Sequence, residues 1–153
     1  GDAGSGNTPP VSPPQGNDGN YHTVAIGGGG GGADPTGASP APGNSGNGGT
    51  GSFVVQTGFA GCNGTPGPVS GARYFSGGGV GGHNPSAAPG ASQTGGTGGG
   101  GEQSPPGGAA GTANTGGGGG GLRCAPIPSA YTAPGGGSGT GGKGIVIIRY
   151  KNS

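Results

Sequence analysis

Asp2, Asp18, Asp34, Glu102, His22, His83, Cys62 and Cys124 are the residues of this chain whose types suit proton transfer, nucleophilic attack or metal binding. A metal centre or a catalytic relay needs such groups gathered at short spacings. Here they are scattered. Asp18 stands four residues before His22, and one carboxylate is too thin a ligand set; neither histidine has a cysteine or glutamate beside it. The acids sit in polar, glycine-rich surroundings, without the strand–turn–helix setting that exposes a hydrolase nucleophile. The chain reads as non-enzymatic, with no catalytic residue, no metal and no cofactor. A bridge between Cys62 and Cys124 would close a loop of about 62 residues and add roughly 4 kcal/mol by restricting the unfolded chain. Two separate free thiols are the other reading, and neither cysteine has metal-ligand spacing to a second Cys or His.

The elements that must position these residues are unusual. Fifty of 153 residues are glycine and sixteen are proline, while 25% are hydrophobic and 6% charged. Disordered chains usually combine low hydrophobicity with high net charge, but the net charge here is +1, so self-repulsion does not keep the chain expanded. The basic residues Arg73, Arg123, Lys143, Arg149 and Lys151 form no stripe of the kind that neutralises phosphates, which excludes nucleic acid as a partner. No stretch approaches the roughly 20 apolar residues of a membrane span. Oligoglycine superficially resembles a phosphate-binding loop, but that loop needs a strand before it and a helix after it, and no 3.6-residue apolar period survives the glycine. We therefore expect a single glycine-rich domain over 1–153 with no α-helix. The chain begins with Gly1 and contains no Met, which fits a processed product or the C-terminal part of a longer polypeptide.

Glycine runs at 27–32, 46–51, 77–82, 95–101, 116–121 and 135–144 alternate with Pro-, Asn- and Ala-rich segments. Collagen requires Gly at every third position, and Gly77-Gly78-Gly79 breaks that rule. A flexible linker does not carry Phe53-Val54-Val55, Arg73-Tyr74-Phe75 or the closing Ile145-Val146-Ile147-Ile148-Arg149-Tyr150. The remaining option is polyglycine II, a left-handed helix of three residues per turn whose backbone groups point outward and bond to neighbouring rods. Without Cβ atoms, rods also approach closely enough for Cα–H···O contacts. The fold class expected is thus irregular or all-β-like: a bundle or sandwich of polyglycine II helices, a few short β-strands at 21–26, 52–56, 72–76 and 145–150, and Pro-rich loops. In the last strand Ile145 and Ile147 share one face and Val146, Ile148 and Tyr150 the other, so it should be covered on both sides. Ile145, Val146, Ile147, Ile148, Tyr150, Tyr74, Phe75 and Phe53 are the expected structural residues.

Ala113-Asn114-Thr115 followed by six glycines, then Gly141-Gly142-Lys143-Gly144-Ile145-Val146-Ile147-Ile148-Arg149-Tyr150, resembles the C-terminal end of glycine-rich domains in tailed-phage virion and tail-fibre proteins. Lys143 stands where Ser is usual. Arg73-Tyr74-Phe75-Ser76-Gly77-Gly78-Gly79 and Pro13-Pro14-Gln15-Gly16-Asn17-Asp18-Gly19 resemble upstream blocks of the same family. The resemblance implies a distal part of a phage appendage on the virion exterior, a polyglycine II sandwich, and variable loops that bind a host receptor. The many prolines and the long Leu122-to-Pro134 segment depart from the usual pattern.

The first functional reading is accordingly a fibre-tip domain that binds a host cell-surface protein or glycan through loops between rods. Rigid aromatics in loops make good contact groups. Tyr131, with Ile127, Leu122 and Arg123 beside it, is the leading contact candidate, and His83, Asn84 and Asp34 follow. The alternative is a structural virion or filament subunit whose rods and terminal strand mediate self-assembly with other virion subunits, as a homo-oligomer with a trimer among the options.

Overall fold

The computed structural model describes residues 4–12, 16–20, 27–34, 46–55, 57–82, 93–104, 107–122, 137–148 and 150. Regular secondary structure is sparse. Strands β1 (Ser52–Val54) and β2 (Arg73–Phe75) pair antiparallel, with Phe53 opposite Tyr74. Strands β3 (Gln103–Ser104) and β4 (Gly107–Gly108) form a second small pair. Apart from α1 (Thr57–Ala60), a single helical turn, the described residues contain no helix. The class is therefore irregular and non-helical, with a few short antiparallel strands. The expected strand at 21–26 lies outside the described residues.

What joins the rest is a set of lateral backbone hydrogen bonds between glycine tracts, and their spacing is informative. Gly27, Gly30 and Ala33 donate to the carbonyls of Gly82, Gly79 and Ser76 at 2.9, 2.9 and 3.1 Å. Tracts 27–33 and 76–82 are thus antiparallel, and the bonds recur every third residue. A β-ladder runs on a two-residue repeat. The three-residue step recurs throughout: Gly78 and Gly81 donate to Gly49 and Gly46, and Gly77 and Val80 to Gly98 and Gly101. Gly118 and Gly121 donate to Gly77 and Val80, and Gly139 and Gly142 to Gly120 and Gly117. Tract 76–82 is the hub, bonded on different sides to 27–33, 46–51, 96–101 and 115–121. Its residues 77–81 are all buried.

The absence of side chains is what lets these tracts touch. A Cβ built on Gly78 falls on the carbonyl oxygen of Gly30, and one on Gly79 falls on that of Gly119. The Cα hydrogen occupying that direction points at the same oxygen, which is the weak C–H···O contact such close approach permits. Side chains contribute little cohesion by comparison. Ala60, Ala72, Tyr74 and Val80 are the buried hydrophobic residues among those described. Tyr74 packs its ring 5.2 Å from that of Phe53, and its hydroxyl accepts the Val69 N–H at 3.2 Å.

Two tracts enter the bundle that composition did not flag. Asn17 and Asn20 donate to Gly32 and Gly29, and Gly108 and Gly111 donate to Gly137 and Thr140. Both again use the three-residue step. Where tract 93–97 reverses into 98–104, Gly98 and Gly99 take φ of 103° and 88°, a region closed to most L-residues. Ser76 (φ 58°) adopts a left-handed backbone at the junction of β2 with tract 76–82, where a two-residue repeat becomes a three-residue one.

The terminal segment corrects two expectations: residues 145–148 and 150 form no strand with any described residue, and their apolar side chains are not covered on both sides. The Lys143 carbonyl, which accepts from Thr115 and Gly116 at 3.1 Å, is the last acceptor of the bundle. Beyond it, Ile145 and Ile147 are half-buried against Val54 and Phe75, while Val146 is 86% exposed, Ile148 79% and Tyr150 83%. The segment is covered on one face only. The three-residue strands β1 and β2 offer too little apolar surface to enclose both.

Candidate binding surface

Chain direction gives the bundle two unlike ends. At one end lie Ala33, Gly51, Ser76, Gly98 and Thr115, linked by the bonds Ala33 to Ser76, Gly51 to Thr97, Ser76 to Thr115 and Gly77 to Gly98. This end carries the β1–β2 excursion and the terminal segment. At the other lie Gly27, Gly46, Gly82 and Gly121, linked by Gly27 to Gly82, Gly46 to Gly27 and Gly121 to Val80. The chain leaves this second end after Gly82 and after Leu122, side by side: a Cβ on Gly82 would stand 3.3 Å from the Leu122 carbonyl oxygen. These are the stems of 83–92 and 123–136.

Of the contact candidates, Leu122 is half-buried at that stem. Arg123, Ile127, Tyr131, His83 and Asn84 lie outside the described residues, as do His22 and Cys124. Asp34 belongs to the opposite end. Its amide donates to Thr50 at 2.9 Å and its carbonyl accepts Asn17 Nδ2 at 2.6 Å, so it serves the bundle and not the stem surface. Asp18 is likewise engaged, its Oδ1 accepting the Gly6 N–H at 2.8 Å. Cys62 is an exposed free thiol in the excursion between β1 and β2.

Amide side chains finish the stem end where the glycine tracts give out. Asn47 Oδ1 accepts the Thr94 N–H at 3.1 Å, and Gln103 Nε2 donates to the Gly81 carbonyl at 2.9 Å. Gln93, at the foot of the 83–92 segment, is buried with neither Nε2 nor Oε1 hydrogen-bonded. Leaving such a group unmade costs about 1–3 kcal/mol. Sequence reasoning missed Gln93, since nothing in Ser92-Gln93-Thr94 separates it from any loop glutamine. Among the described residues no group of three His, Cys, Asp or Glu side chains gathers to hold a metal, and no helix is long and apolar enough to cross a membrane. No protein-family profile, curated protein or solved structure matches this chain.

Proposed function

We propose that this chain is a non-enzymatic recognition domain of a tailed-phage appendage, exposed on the virion, which grips a host cell-surface protein or glycan with the segments 83–92 and 123–136. The supporting observation is the shared stem. Two proline-bearing segments, unlike in composition from the glycine tracts, leave the bundle at adjacent positions on one end. The tracts beneath are read as polyglycine II rods. The three-residue step of their lateral bonds is the step of that helix and not of a sheet. A stiff base of this kind lowers the entropy lost when loops engage a partner. The phage assignment rests on the resemblance of the closing motif and of the Arg73-Tyr74-Phe75-Ser76 block.

The test is adhesion. Labelled chain is incubated with a panel of intact bacterial strains, beside variants in which 83–92 or 123–136 is replaced by a Gly/Ser linker. We expect strain-selective binding that drops at least tenfold in either variant while amide protection across 76–82 is kept. Binding that survives both replacements, or no binding to any strain, overturns the reading.

A further inference from the structure

A helix of three residues per turn points its amides three ways and its carbonyls three more, so six neighbours complete such a rod. Read as a rod, tract 76–82 is bonded on five of those sides. Its carbonyls are all taken. Ser76, Gly79 and Gly82 accept from Ala33, Gly30 and Gly27, Gly77 and Val80 from Gly118 and Gly121, Gly78 from Gly96, and Gly81 from Gln103 Nε2. Gly77 and Val80 donate to Gly98 and Gly101, and Gly78 and Gly81 to Gly49 and Gly46. The third amide direction belongs to Ser76, Gly79 and Gly82. Ser76 donates to Thr115 at the end of the tract, but Gly79 and Gly82 donate to no described residue, and Gly79 is buried. Buried main-chain amides are nearly always paired.

The sixth side can be located. A trans peptide carries its N–H and the preceding C=O on opposite edges. The Gly78 carbonyl meets Gly96, so the Gly79 N–H faces the other way. Cβ atoms built on Gly30 and Gly118 stand 3.6 and 2.9 Å from the Gly79 nitrogen, which puts it between tracts 27–33 and 115–121. A groove of about 400 Å³ opens there, floored by residues 76–80. Gly31, Gly116 and Gly119 line its walls, and their carbonyls accept no hydrogen bond from a described residue. The groove thus offers a donor on its floor and acceptors on both walls.

We infer that this groove binds an oligoglycine segment of a partner polypeptide, laid along 76–80 as a sixth rod. The inference rests on reading the tracts as polyglycine II and goes beyond host recognition, which concerns the stems. Width selects the occupant. Ser76 to Val80 spans about 12 Å at about 3.1 Å per residue, so the groove has a cross-section of roughly 30 Å². A helix about 10 Å across or a strand of about 4.7 by 10 Å is too thick, whereas a chain without side chains fits. Polyproline shares the three-residue step but has no amides for the wall carbonyls. The described glycine tracts of this chain are already bonded into its own bundle, so a different polypeptide supplies the segment.

Titrating the full ¹⁵N-labelled chain with a lysine-flanked hexaglycine peptide tests this by NMR. We expect saturable shifts of the Gly79 and Gly82 amides with half-saturation below about 1 mM, and exchange at Gly79 slowed at least tenfold. Hexaalanine and hexaproline peptides with the same flanks should do neither. Gly30→Ala is the blocking variant: its methyl meets Gly79 at ordinary contact distances, 3.6 Å from the nitrogen, so the bundle is kept while the peptide binds at least tenfold more weakly. Gly137→Ala, with nothing within 4 Å of its built Cβ, leaves binding unchanged. Backbone couplings of the free chain at 77–81 check the rods separately. A φ far from about −75° overturns the rod reading and this inference with it; a φ near that value without saturable binding overturns this inference alone. Equal binding of the alanine or proline peptide, undiminished binding by Gly30→Ala, or protection of Gly79 by self-association without peptide overturns it too.

Discussion

Tract 76–82 and segment 145–150 are similar in length and opposite in every other respect. The first has a single side chain larger than serine's, Val80, and lies in the middle of the molecule with residues 77–81 buried. The second carries the densest run of large apolar side chains in the chain and leaves most of them in water. In an ordinary domain the assignments would be reversed, because burial of apolar area drives folding. The difference shows that cohesion here comes from main chain bonded to main chain. Each such hydrogen bond contributes only about 1 kcal/mol net, but tract 76–82 is bonded on several sides at once, and no Cβ holds its neighbours away.

The strongest way to break this comparison is to put a side chain where none fits. Gly78→Val sets a branched group against the Gly30 carbonyl and the Gly49 amide. The expected loss is at least about 4 kcal/mol, from overpacking and displaced lateral bonds together, read as failure of tracts 27–33, 46–51 and 76–82 to protect their amides from exchange. A folded Gly78→Val protein with unchanged denaturation midpoint would show that close main-chain approach is not what holds the centre.

Removing Tyr74, the one well-buried aromatic among the described residues, comes next. Tyr74→Ala should lose about 3 kcal/mol, with exchange quickening in β1 and β2 while 117–121 stays protected. Thr115→Val tests a buried side chain that serves the main chain directly: its Oγ1 donates to the Thr112 carbonyl at 2.6 Å and accepts the Gly117 N–H at 3.1 Å. Chemical denaturation should report a loss of about 1–2 kcal/mol. The smallest effect has the opposite sign. Gly58 lies in the α1 turn with nothing within 4 Å of a built Cβ, so Gly58→Ala should raise stability by about 0.5–1 kcal/mol. A loss there as large as that at Gly78 would mean that glycine content matters generally and not through packing.

Much of this architecture could be read from residue order, and the exceptions have physical causes. The apolar runs around Phe53 and Tyr74 announce β1 and β2, because β-branched and aromatic residues bounded by glycine favour strands. The long glycine runs announce most of the tracts. Tracts 16–20 and 107–112 escaped because they are not runs. They place glycine three apart, at Gly16 and Gly19 and at Gly108 and Gly111, where a side chain would collide for Gly108 and Gly111, and fill the positions between with small or polar residues. Spacing, not abundance, was their signal. The exposed face of the terminal segment escaped because alternation tells which residues share a face and not whether anything nearby is large enough to cover it. The end at which Asp34 lies escaped for a related reason: which end of a bundle a residue occupies depends on the direction of each tract, and oligoglycine is the same read either way.

The three-residue step of tract 76–82 constrains how such a chain can change length. Deleting one residue there throws every later amide out of that step, so amides that met Gly49 and Gly46 would address a different neighbour. Deleting three restores the step and merely shortens the tract. Viable insertions and deletions within tracts should therefore come in triplets, whereas the segments between them are free of that arithmetic, and a gene for this protein can remodel those segments residue by residue while the bonded tracts are held to a coarser ruler.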